Sequence, residues 1–400
     1  MLNDPPPLPL PQAPTDTLPP ITTAPPLSPT AIPPPTPLTP SLHPTAADTY
    51  RHRAPDVRPT LVQRLGGSDQ TEKAVNLALA WLARHQSADG RWSSAHFDDA
   101  CGGRCGGTSK IRSDAALTGL ALLCFLGADH THLKPGPYQD TVGKGLGWLV
   151  ANQSTSGDLR IGETMYSHGI ATIALAEAYA MTRDERLRRP VETAATFIVR
   201  AAHPRTGGWR YDPGQEGDTS VLGWQALALI SARRAGVAIP DGALDGAQRW
   251  LDSVSWPQRP GLYSYQPGLP FSVSMTAEGL FVRQLLGHGP DDPAAAGSVA
   301  FILEHLPDWE RGPSTYYWYY ATLALFQHQG EAWTIWNRTL TAALVSNQRT
   351  AGPAAGSWDP RDKYAMVGGR VYQTAICTLC LEVYYRYLPM YAAVPIAPAP

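Results

Sequence analysis

From about residue 66 onward, apolar residues recur at helical spacing and in a repeated order. In residues 73–92, KAVNLALAWLARHQSADGRW, Val75, Leu79 and Leu82 fall at helix spacing and Trp81 widens the stripe. Gly90 then stops the helix and Trp92 follows. Residues 143–159 repeat the arrangement with Trp148-Leu149, Gln153, Gly157 and Leu159, and residues 191–211 with Phe197-Ile198, Gly208 and Trp209. Three later copies place Trp250-Leu251 before Gly261-Leu262-Tyr263, Phe301-Ile302 before Pro307-Asp308-Trp309, and Leu344-Val345 before Gly356-Ser357-Trp358. Each copy precedes a segment apolar on most faces, starting near Asp114, Tyr166, Asp218, Ser274, Thr315 and Tyr372. A helix apolar all round belongs inside a fold, whereas a one-sided stripe belongs to an outer layer. Six outer and six inner helices in alternation predict an all-α chain, an α/α toroid (α6/α6 barrel) of six helix-pair repeats over residues 66–388. A single-row solenoid is the competing arrangement. Its last helix would need a polar outer face, and the run from Tyr372 to Tyr387 is aromatic instead, which favours closure.

The first 60 residues break the pattern, holding 19 of the 39 prolines. Proline lacks an amide donor and forces its predecessor out of helical geometry. Residues 1–60 are therefore expected to be a disordered, partly polyproline-II arm, and residues 390–400 a flexible tail.

Composition removes several function classes. The 400-residue chain carries a formal charge of -2, which gives no net electrostatic reason to bind nucleic acid. No apolar run reaches the length of a membrane span. The opening MLNDPPPLPLPQ has neither a basic start nor an unbroken apolar stretch, so the expected location is cytoplasmic, with peripheral membrane association left open. Five cysteines do not make a disulfide scaffold, and Cys124, Cys377 and Cys380 sit within apolar helices as core residues.

The spacing aromatic-aliphatic-x₃-Gln-x₃-Gly-x-Trp, clearest at Trp81-Leu82, Gln86, Gly90 and Trp92, resembles the repeat of the squalene cyclase and protein prenyltransferase superfamily. The resemblance implies a terpenoid-cyclase-like toroid, with glutamine and tryptophan tying one unit to the next. It also implies a ligand cavity at the mouth or centre of the barrel, commonly for isoprenoid chains. Protonating cyclases carry an Asp-x-Asp-Asp-Thr segment before the third inner helix. The matching stretch here is GQEGDTSVLGW, where Asp218-Thr219 match the final pair, Gln215 replaces the first aspartate and Gly217 replaces the proton donor. Glu216 is one position out of register. The resemblance therefore comes without the family's standard acid. The prenyltransferase zinc set has no counterpart at the later inner-helix starts.

Candidate catalytic groups are Asp218, Glu216, Asp114 and Glu278, with Glu163 as a further carboxylate at the inner-helix starts. Asp114, Thr164, Asp218 and Ser274 each stand five residues before a central glycine and read equally as helix N-caps. On that reading Asp218 stays charged, because a helix N-terminus stabilises the anion. Trp224, Tyr316, Tyr317, Tyr320, Tyr372 and His168 are the expected cavity lining, although core packing and, for His168, a hydrogen-bonded interior place are alternatives. In the loop FDDACGGRCGG, His96, Cys101 and Cys105 with Asp98 or Asp99 are suitable zinc ligands. No complete four-ligand pattern emerges, so the expectation is no metal and no cofactor, with a Cys101–Cys105 disulfide as an alternative. Three functions stay open: an isoprenoid-, lipid- or apolar-ligand-binding toroid, a non-catalytic scaffold for a protein partner, and a carbohydrate-active toroid.

Overall fold

The computed structural model describes residues 50–391. Its helices are α1 (Arg58–Leu65), α2 (Asp69–Arg84), α3 (Asp114–Gly127), α4 (Gln139–Asn152), α5 (Met165–Thr182), α6 (Glu185–Ala201) and α7 (Thr219–Arg234). There follow α8 (Asp245–Val254), α9 (Val273–Leu285), α10 (Pro293–Leu303), α11 (Thr315–His328), α12 (Gly330–Asn347), α13 (Lys363–Leu381) and α14 (Val383–Arg386). Helices α3, α5, α7, α9, α11 and α13 pack in chain order, and α13 returns to α3. The inner ring is closed. Helices α2, α4, α6, α8, α10 and α12 stand outside it, and α12 meets α2. This is the all-α helix-pair toroid that the periodicity predicts.

The repeat residues explain how units are joined. Gln86 donates to the Gly90 carbonyl at 2.8 Å and to Thr141 of the next outer helix at 2.9 Å. Gln153 does the same with Gly157 and Pro190. Gln348 donates to Gly356 at 3.0 Å and to Ala74 of α2 at 2.8 Å, so the last unit clasps the first as any unit clasps its successor. The glycine is required by space: a Cβ on Gly90 (φ 101°) would lie 2.3 Å from the Lys144 carbonyl oxygen. The buried Trp92, Trp209 and Trp358 indoles each donate at 2.8 Å to a carbonyl of their own outer helix, from Leu82, Ile198 and Leu344. Each ring thereby fills the wedge between layers with its one polar atom satisfied.

The expected arm boundary at residue 60 is corrected by the structure. Residues 51–53 form a turn of 3-10 helix, and Pro59 stands in the first turn of α1, where its missing N–H has no helical partner to lose. Arg53 is fully buried: it donates to Glu177 of α5 at 2.8 Å and to the Arg386 and Leu126 carbonyls at 3.0 and 3.2 Å. Arg386 reaches the other oxygen of Glu177 at 3.2 Å. Residues 50–65 and α14 therefore close the end of the toroid where the inner helices finish. The tail also starts later than expected, since the Met390 amide donates to Gln327 at 2.7 Å. The rest of both expected segments, 1–49 and 392–400, lies outside the described residues.

Candidate mouth site

At the opposite end the inner helices begin, and their starts gather the carboxylates. Asp218 caps α7: its Oδ1 accepts the Val221 amide at 3.0 Å and the Ser220 hydroxyl at 2.8 Å. Its Oδ2 accepts the Tyr265 phenol at 2.8 Å, and Arg210 stands 3.6 Å away. The structure places Asp218 as the N-cap of α7, in a more buried setting than an ordinary helix start. Burial pushes the Asp218 carboxyl above its ordinary range, outweighing Ser220, Tyr265, the Val221 amide and Arg210, which all pull the other way.

The rest of the expected cap column is corrected. Asp114 is the first residue of α3 and makes no cap; its Oδ1 ties down the preceding loop through the Ser94 amide and hydroxyl at 2.7 and 2.6 Å. Thr164 makes no side-chain cap, and Ser272, not Ser274, caps α9. The free amides of α3 are met from the neighbouring unit instead, with Glu163 accepting Ala115 at 3.0 Å. Asp362 likewise serves two helices, capping α13 and accepting the Thr315 amide of α11 at 2.8 Å.

Glu278 is the distinctive group. It is fully buried within α9, and its Oε1 accepts the Gly223 amide of α7 at 2.8 Å. Only a glycine permits this approach, since a Cβ on Gly223 would lie 2.5 Å from that oxygen. Its Oε2 lies 2.7 Å from the Tyr316 hydroxyl, which is also 2.7 Å from the Ser220 carbonyl oxygen. The Tyr316 hydroxyl thus donates to Glu278, with the Ser220 carbonyl oxygen as a second acceptor. Burial pushes the Glu278 carboxyl well above its ordinary range, outweighing the Tyr316 hydroxyl and the Gly223 amide, which pull the other way.

This carries a pH-dependent outcome. Below the unfolded pKa of about 4.3 both states are protonated. As pH rises, the unfolded chain ionises while the buried acid resists, so the stability linked to Glu278 is full at low pH and lost with rising pH. Urea unfolding of Glu278→Gln is expected to gain on the unmodified protein as pH rises above about 4. A difference that stays constant with pH would mean that Glu278 ionises normally.

The aromatic residues divide between two layers. Trp224 stacks on Tyr319 with centroids 5.3 Å apart and meets Tyr320 edge-on at 5.7 Å, and Tyr320 approaches Phe281. These rings are buried and fill the toroid centre. Tyr319 belongs there too, at i+3 from Tyr316. Tyr317 does not: its hydroxyl donates to His305 and Ile302 carbonyls of the outer layer at 3.0 and 3.1 Å. The Tyr372 and Tyr319 hydroxyls are buried without a hydrogen-bond partner among the described residues. Above the packed centre, Tyr166, Tyr211, Tyr265 and Tyr364 are partly buried and form a phenolic collar. Tyr211 and Tyr265 share a hydrogen bond at 2.9 Å, Tyr166 bonds Ser220, and the Tyr316 and Tyr364 rings lie 5.4 Å apart.

Three expected site residues lie elsewhere. Glu216 is 70% exposed on the outer wall beside Arg205, because Gly217 (φ 115°) turns the chain away against Gly208 and Trp250. His168 faces outward between α5 and α6: its Nδ1 accepts the Leu159 amide at 3.0 Å and its Nε2 meets the Ala194 carbonyl at 3.1 Å. It takes the role of Thr118, which accepts the Trp92 amide in the first unit. His96 is 69% exposed and turns toward Asp99, away from the cysteines. Cys101 and Cys105 are free thiols, and burial, with Cys101 alongside, pushes the Cys105 thiol up to about 11. Two hollows of about 450 and 430 Å³ lie on the outside, one lined by Trp309, Gln348, Arg349 and Asp359, the other by Arg58, Asp69, Glu72 and His130. Neither is lined by Asp218, Glu278 or the collar.

No family model matches the sequence, and no curated relative does. Solved α/α toroids share its fold. The type II terpene cyclase MstE from Scytonema is similar at 15% identity and TM-score 0.52, over 80% of this chain and 98% of its own. Its complex with geranylgeranyl dihydroxybenzoate aligns at 14% identity and TM-score 0.52, over 82% and 99%. An inactive variant of an α-1,6-mannanase from Salegentibacter sp. HEL1_6, bound to α-1,6-mannotriose, aligns at 11% identity and TM-score 0.55, over 79% and 99%. A novel α-amylase from Clostridium perfringens aligns at 10% identity and TM-score 0.52, over 78% and 97%. The toroid is thus common to terpene cyclases, mannanases and amylases, and at these identities the likeness carries the fold without choosing a branch. Among the described residues, no helix is long and apolar enough to cross a membrane.

Proposed function

We propose that the protein binds an isoprenoid or comparable apolar molecule at the mouth of the toroid and does not cyclise it by protonation. The observation that carries this reading is the partly buried collar of Tyr166, Tyr211, Tyr265 and Tyr364 above two buried carboxyl groups. A phenol offers an apolar face and a polar tip, which suits the border between a wet mouth and an apolar ligand. The carboxyls support a binding role over a proton-delivering one. Glu278 spends its oxygens on the Gly223 amide and the Tyr316 hydroxyl, and Asp218 spends its own on Val221, Ser220 and Tyr265. A deep cleft with two solvated carboxylates, which sugar cleavage uses, is not what this pair resembles.

Geranylgeraniol titrated against the protein is expected to give a saturable change in tryptophan fluorescence. Tyr364→Ala, which alters a partly buried ring, is expected to weaken it about 10-fold, the weight of about 1.4 kcal/mol. Squalene is expected to be recovered unchanged. A flat geranylgeraniol titration would remove the binding reading, and a saturable response to mannotriose or maltotriose would replace it with the carbohydrate one. Polycyclic products from squalene would overturn the non-cyclising part alone.

A further inference from the structure

The loop between α2 and α3 gathers side chains that the mouth does not use. Cys101 ends a 3-10 turn (Phe97–Cys101) and is followed by Gly102-Gly103, as Cys105 is by Gly106-Gly107. All four glycines have left-handed φ, between 62° and 78°, so the chain doubles back after each cysteine and brings both thiols to one place. Arg370 of α13 holds the second turn there, its amide donating to the Gly107 carbonyl at 2.7 Å and its Nε to Gly106 at 3.0 Å.

The third member is His85, just past the end of α2. Its Nδ1 donates to the Trp81 carbonyl at 2.8 Å, which leaves the bare Nε2 aimed at Cys105 Sγ, 3.2 Å away. The imidazole lies flat on the Trp81 ring at 4.2 Å. The Cys105 amide donates to Cys101 Sγ at 3.2 Å, which holds that sulfur beside the second turn. All three donor atoms lie within 4.8 Å of one another and all three residues are buried.

We propose that His85 Nε2, Cys101 Sγ and Cys105 Sγ bind a zinc-class divalent cation. Tetrahedral zinc with bonds of about 2.0–2.3 Å spaces its ligand atoms roughly 3.5–3.8 Å apart, which this cluster meets with small adjustments. A carbonyl fixing the far nitrogen of the histidine is the usual outer support of such a ligand. Each thiol gives its proton to solvent as its bond to the metal forms, and two thiolates neutralise the dication. Three protein ligands leave the fourth tetrahedral position to water. The expectation of a metal-free loop rested on the lack of a complete four-ligand pattern between His96 and Cys105; His85, from the preceding helix end, stands outside that segment.

The full-length protein, kept reduced and stripped with a chelator, is the sample for the test. Titration with Co²⁺ is expected to give thiolate-to-cobalt charge-transfer absorption and intense tetrahedral visible bands, saturating at one equivalent and bleached by Zn²⁺. Cys101→Ser with Cys105→Ser is expected to abolish both sets of bands. His85→Gln is expected to weaken binding by more than the roughly 10–100-fold seen when only an outer support is lost. His96→Ala is expected to change nothing. The cobalt spectrum of the unmodified protein decides the matter without relying on any variant's folding. Absence of charge-transfer bands, their survival in the double variant, or a Cys101–Cys105 disulfide that persists in the reducing buffer would each overturn the proposal.

Discussion

Arg53→Met is expected to lower stability by about 3–5 kcal/mol, the usual cost of removing one partner from a buried ion pair. Arg53, Glu177 and Arg386 have essentially no contact with solvent. Removing the Arg53 guanidinium leaves Glu177 with Arg386 alone and takes the donor from two carbonyl oxygens. Burial opposes ionisation of Glu177, but Arg53 and Arg386 together outweigh it and hold the carboxyl below its ordinary value. A depressed carboxyl stabilises the fold above its unfolded pKa, about 4.3, and the contribution is lost as pH falls through the folded value. The deficit of the variant should therefore be full above about pH 5 and narrow as pH falls below about pH 4 in urea unfolding. Truncation before residue 50 compared with truncation before residue 58 isolates the same segment, and the second should be the less stable. Equal urea midpoints for Arg53→Met and the unmodified protein would show that the N-terminal segment does not hold this end of the toroid.

Trp209→Ala is expected to cost about 3–5 kcal/mol, as large-to-small changes of fully buried aromatic residues do. The ring is buried behind α6 and its indole N–H is bonded to Ile198. The Trp209 carbonyl also receives the Asp218 amide at 2.8 Å, so the same residue positions the start of α7. Trp209→Phe keeps most of the ring and loses one hydrogen bond, for about 1–2 kcal/mol. Urea midpoints in the order unmodified, Phe, Ala are the expected series. A near-neutral alanine variant would contradict the role of Trp209 as the wedge between units.

The helices and their layers were legible because each follows from local periodicity. The inner helices are apolar throughout, and the Gln86-Gly90-Trp92 device works within one unit and its immediate neighbour. The site was less legible because its decisive contacts cross between units. Glu278 meets Gly223, Glu163 meets Ala115 and Asp362 meets Thr315, each pair about 50 residues apart. No short-range pattern records such partners. A column of cap-like residues read along the chain therefore placed Asp218 correctly and Asp114 incorrectly, because α3 takes its cap from the next unit. His168 misled for a related reason: it fills a threonine's position where Leu159 stands in place of the repeat tryptophan. Pro55 and Pro59 extended the arm too far because proline suits a helix's first turn as well as it suits an unfolded chain.

The clasp from Gln348 to Ala74 spans 274 residues. A nascent chain with five units outside the ribosome still presents an unclaimed seam on its first outer helix, and nothing but the sixth unit carries the matching glutamine and glycine. Contacts of such long sequence separation slow folding, and partly assembled chains expose apolar surface in the meantime. Completion of this ring therefore waits for the sixth unit, and the interval before that is when the protein has most need of chaperone protection.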